Sequence, residues 1–111
     1  MKKLTFAQIK MKTFIGDNFT GAAISKAKHH ERSFLIAAAI SGRFSCHVYQ
    51  YQQKHLLWFL IEHISKFTKG TRYNYLLTLV KIIRLNKRTA CWETVLVKNF
   101  KISENKYLTQ H

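Results

Sequence analysis

A mainly helical fold is the class this sequence predicts, and three observations predict it. Apolar residues recur at intervals of three and four along most of the chain, as they do in helices that bury one face. There are 0 Pro and 4 Gly, and Gly16, Gly42 and Gly70 stand near the ends of the periodic runs. With 111 residues, 47% of them hydrophobic and 14% aromatic, the chain has material for one core but hardly for two. The expectation is a single compact domain over 1–102 with a frayed tail at 103–111. Its centre is an αα-hairpin of helix-turn-helix-like form. A short β element near 43–52 would make α+β the alternative.

The first helix is expected over Thr5 to Ile15, with Thr5 as N-cap, a stripe of Phe6, Ile9 and Thr13/Phe14, and a stop at Gly16-Asp17-Asn18. Thr20 to Ser41 reads as a second helix on Ile24, Ala27, Glu31, Phe34/Leu35 and Ala38, ended by Ser41-Gly42. Between Arg43 and Gln52 the pattern shortens to alternation, with Phe44, Cys46 and Val48 against Ser45, His47 and Tyr49, which predicts a strand. Gln53 to Thr68 is the clearest helix, its stripe being Leu57, Leu60/Ile61, Ile64 and Phe67, with Gly70 as its left-handed cap. Thr71 is expected to cap the next one, Arg72 to Asn86, whose Leu76, Leu79/Val80 and Ile83 point one way. Beyond Arg88, Trp92, Val95/Leu96 and Asn99/Phe100 suit a helix and Trp92, Thr94, Leu96 and Phe100 suit a strand. Thr89 as a cap tips the reading to helix.

Charge gives the function class. The chain sets 19 Lys and Arg against 5 Asp and Glu, a formal net charge of +14. Such a surplus repels itself in a compact state and is expected to meet an anionic partner, most commonly nucleic acid. Lys81, Arg84, Lys87 and Arg88 form a cationic stripe on the second hairpin helix, and Arg72 and Tyr73 lead that helix with its positive N-terminus. Lys66 and Lys69, at the end of the preceding helix, complete the candidate nucleic-acid contacts. Two further cationic groups, Lys2, Lys3, Lys10 and Lys12, and Lys26, Lys28, His29, His30 and Arg32, spread the positive footprint over the chain. The expected activity is occupancy of DNA or RNA through phosphate contacts, without a reaction.

Two alternatives stand beside it. A protein-interaction factor or inhibitor of the phage or mobile-element type would dock on an acidic protein or a nucleic-acid-processing complex, with Trp58, Phe59 and Trp92 as anchors. A peripheral binder of anionic membrane would insert Trp58, Phe59 and Phe67. The composition also fits a reading frame never shaped by selection, against which the helical periodicity argues.

Neither a catalytic set, a metal site nor a cofactor is expected. His29-His30-Glu31 has no companion ligands at a metal-binding spacing, no glycine-rich phosphate loop occurs, and five acidic residues leave little general acid or base capacity. Cys46 and Cys91 are expected as free thiols. Lys2 and Lys3 are not followed by an apolar leader segment, and the longest apolar runs, Phe34 to Ile40 and Leu56 to Ile61, are far shorter than a membrane span, so a cytoplasmic protein is expected.

Overall fold

The structure, a computed structural model, describes residues 4–19, 22–85 and 91–109, with side chains to residue 103. It is helical throughout. In chain order, α1 is Phe6–Ile15, α2 Ala23–Phe44, α3 Gln53–Leu57 continued by a π turn over Trp58–His63, α4 Lys69–Leu85 and α5 Trp92–Thr109.

α1 starts as its sequence predicts. Thr5 Oγ1 accepts from the Gln8 backbone N–H at 3.2 Å and Gln8 Oε1 accepts from the Thr5 N–H at 2.9 Å, a reciprocal capping box. The other end of the same amide, Gln8 Nε2, donates to the Phe34 carbonyl at 3.2 Å and so ties the start of α1 to α2. Gly16, at φ 50°, ends the helix in a backbone region that favours glycine. The buried face is Ala7, Met11 and Ile15, while Phe6 and Ile9 are exposed; the helix is rotated from the expected stripe. α2 is rotated likewise, burying His29, Ser33, Ile36, Ala37 and Ile40 and leaving Ile24 exposed.

α2 runs past Gly42 to Phe44 and stops where Ser45 adopts the left-handed conformation at φ 55°, its N–H bonded to the Ser41 carbonyl at 2.9 Å. The strand expected over 43–52 is absent. With no other strand among the described residues, its ladder groups would have gone unpaired. The chain instead closes a 3-10 turn at Val48–Gln50, where Gln50 N–H reaches the His47 carbonyl at 2.8 Å and Gln50 Oε1 accepts from the His47 N–H at 3.2 Å.

The third helix also departs from expectation. Six consecutive apolar residues, Leu56 to Ile61, exceed one α-helical stripe, and the backbone widens into a π turn in which the Ile64 N–H reaches the Phe59 carbonyl at 3.2 Å. Leu56, Phe59, Leu60 and Ile64 all enter the core. The helix therefore ends near His63, and Phe67 is exposed. Lys69 and Gly70 are not its terminus but the opening turn of α4, capped one turn earlier than expected by Thr68, whose Oγ1 accepts from the Thr71 N–H at 3.3 Å.

α4 is the central helix, packed on α2 along one side and α5 along another. It buries Tyr75, Leu76, Thr78, Leu79, Ile82 and Ile83, the expected stripe except for Val80, which is half-buried. The last segment is helical, with Leu96 and Phe100 in the core, and the helix continues through the expected frayed tail to Thr109. Among the described residues no helix is long and apolar enough to cross a membrane.

Candidate anion-binding surface

The seam between α2 and α4 turns on one buried pair. His29 is 8% exposed and Thr78 fully buried, and His29 Nδ1 lies 2.7 Å from Thr78 Oγ1. The Thr78 hydroxyl also lies 3.3 Å from the Asn74 carbonyl of its own helix, one turn back. Burial lowers the pKa of His29, and Lys81, Arg32 and His30 lower it further. Arg32 of α2 and Lys81 of α4 are thus both among the cations that disfavour its protonated form.

Towards the N-terminus of α4, Lys28 and Arg32 line a shallow depression with Thr71 and Asn74; Glu31 is the acid there. Lys69, the first residue of α4, is exposed, as are Lys66 and Thr71. Backbone N–H groups at such a terminus favour anions. Lys28 and Arg32 of α2 together with Lys69 and Lys81 of α4, two helices packed on one another, are termed the cationic band.

The remaining expected contacts are divided. Arg72 is buried at 8% exposure, three and four residues before Tyr75 and Leu76 and so on the inward face of α4. That placement removes it from the exposed cationic band. Tyr73 is half-exposed and its ring lies 6.4 Å from that of Phe100 on α5. Arg84 is exposed but engaged: Nε and Nη2 donate to Glu93 at 3.0 and 2.6 Å, a bidentate pair. The hydrogen bonds hold the Glu93 carboxyl below its ordinary range and raise Arg84. Lys87 and Arg88 lie outside the described residues.

The expected aromatic anchors face inward. Phe59 is 1% exposed, so it is core and no surface anchor. Trp58 is half-buried, edge-on to Phe44 at 5.3 Å. Trp92 is also half-buried and helps close a cavity of about 30 Å³ with Val48, Leu56 and Ile83.

A larger cleft of about 530 Å³ lies on the other side of α4, against α5, reaching His29 at its inner edge. Leu76, Leu77, Val80, Val97 and Phe100 make it apolar, and Lys81 and Lys101 give it a cationic margin. The sequence carried a signal for it: Tyr73, Leu77 and Val80 repeat at helical spacing beside the core stripe of α4.

Around the 3-10 turn, Cys46 Sγ lies 3.7 Å from His55 Nδ1, which accepts from the Gln52 N–H at 2.9 Å. Burial raises the Cys46 thiol, partly opposed by Lys54, and lowers His55. That is the reverse of thiolate activation. Tyr51 Oη and His47 Nδ1 are buried there without a hydrogen-bond partner among the described residues. Cys46 and Cys91 are free thiols, and no group of three His, Cys, Asp or Glu among the described residues is placed to hold a metal ion.

No family model, no curated protein and no solved structure matches this chain.

Proposed function

We propose that this protein binds nucleic acid by occupancy, gripping phosphates with the cationic band of α2 and α4 and performing no reaction. The observation that supports the reading best is the His29–Thr78 contact at 2.7 Å, which joins α2 and α4 with Arg32 three residues after His29 and Lys81 three residues after Thr78. Five acidic residues cannot compensate nineteen cations, so most of the charge is available to a polyanion. Lys28, Lys69 and the α4 N-terminus extend the band at one end. A helix-turn-helix mode of base reading is not part of the proposal, since α4 is flanked by α2 and α5 and Arg72 is buried. Phosphate contact needs no groove-filling helix and reads no sequence.

The test is the salt dependence of binding to random-sequence duplex DNA, repeated with random single-stranded RNA. Replacing both Arg32 and Lys81 by Ala should lower the slope of log K against log salt on duplex DNA by about 2, close to one per lost phosphate contact. Lys12→Ala on α1 should leave most of the slope in place. An unchanged slope in the double variant, or no binding to either polymer at low salt, overturns the reading.

A further inference from the structure

The cleft between α4 and α5 shares Lys81 with the phosphate band, but its apolar floor is chemistry of a different kind. Its α4 wall carries Tyr73, Leu77 and Val80, followed by Arg84, at spacings of four, three and four. Its α5 wall carries Glu93, Val97 and Phe100/Lys101 at the same repeat. Each wall is therefore a stripe that a neighbouring helix would normally cover. Tyr73 and Leu77 remain 50% and 38% exposed. From Tyr73 to Arg84 the trough is about 16 Å long at 1.5 Å per residue, or three turns of helix.

We infer that this cleft receives an acidic amphipathic helix from a partner protein. Three features select that occupant. Apolar floors with helical repeats on both walls suit a helix that offers residues at i, i+3, i+4 and i+7. The length of the cleft, about 16 Å from Tyr73 to Arg84, accommodates three turns of such a helix. Its margin is cationic, with Lys81 and Lys101 beside the floor and Lys98 on the adjoining surface of α5, while the charge of Arg84 is matched by Glu93. A second copy of this chain would bring its own net charge of +14 to that margin, so self-association is opposed where an acidic helix is attracted. Glu93, the acid within the cleft, is already held by Arg84 at 2.6 Å.

The experiment titrates the whole protein into a fluorescein-labelled peptide of about four helical turns. The peptide has Leu at i, i+3, i+4 and i+7 and Glu on both flanks. A shuffled peptide of identical composition serves as comparison, so that charge is constant and only the stripe differs. The patterned peptide should bind at least about fivefold more tightly than the shuffled one. Leu77→Ser and Lys101→Glu should each weaken the patterned peptide by a similar factor, and Ile24→Ser, at an exposed position on α2 away from the cleft, should not. Lys101 is exposed, and its replacement tests the margin without opening the core. Leu77→Ser should also leave the duplex DNA salt slope unchanged, which separates this cleft from the phosphate band. Equal binding of the two peptides, or full binding by both Leu77→Ser and Lys101→Glu, overturns the inference.

Discussion

His29 is harder to protonate in the fold than in the open chain, so its protonation costs stability. Burial, Lys81, Arg32 and His30 all lower its pKa in the folded protein, and burial lowers that of His55. Both therefore bind protons more readily in the unfolded chain. Stability from these two residues is fully present above the unfolded value of about 6.5 and falls as pH drops below it towards their folded values. Urea unfolding at pH 7.5 and pH 5.5 should show this loss, and His29→Gln should show less of it. An equal loss in wild type and variant would remove His29 from the account. Ser45 offers a second single-residue test. It is exposed and sits in the left-handed region at φ 55°, where a side chain costs about 1 kcal/mol or more relative to glycine. Ser45→Gly should raise stability by about 1 kcal/mol in denaturant unfolding. The sequence pointed instead to Gly42 as the stop, and only the structure shows that a non-glycine residue makes this turn.

Gly42 lies in the last turn of α2, two residues before its end, and a methyl group there would meet nothing within 4 Å. Gly42→Ala should therefore stabilise α2 by about 0.5 to 1 kcal/mol, read from the shift of the unfolding midpoint. Phe59, read from sequence as a partner anchor, should behave as core: Phe59→Ala should cost about 3 to 5 kcal/mol in the same measurement. Helices were legible wherever caps and periodicity agreed. Thr5 announces the start of α1, and Leu76, Leu79 and Ile83 of the expected α4 stripe are buried. Which face turns inward was less legible for α1 and α2, because each offers two apolar faces and the neighbouring helix chooses between them. Ala7, Met11 and Ile15 win over Phe6 and Ile9 by fitting close to α2. Alternation over 43–52 failed as a strand signal for a related reason. Val48 and Cys46 reach the core through a tight turn, and period-two patterning describes such a turn as well as it describes a strand.

At the scale of the molecule, charge is the one functional quantity that composition alone conveys. Its distribution is not. Lys28 and Arg32 are merely mid-helix cations in the sequence, and only the packing of α2 on α4, through His29 and Thr78, brings their helix against the one that carries Lys81. The converse holds for Arg72 and Arg84, which spacing nominates equally but which the fold places in the interior and in a bidentate pair. A protein with so large an uncompensated charge should gain stability when its self-repulsion is relieved. Its midpoint of thermal unfolding should rise as sodium chloride increases from 20 to 300 mM, and a polyanion such as heparin at low salt should raise it further by binding the native state. A midpoint indifferent to both would show that the cations lie too far apart to act together.

The amide of Gln8 serves two distances at once. Its oxygen belongs to the beginning of its own helix, while its nitrogen grips a carbonyl twenty-six positions away. Glutamate at this position would keep the first role and forfeit the second, since a carboxylate accepts but does not donate. Local helix initiation and the docking of α1 could then be observed separately, as residual helicity in a chain whose first segment has come loose from the second.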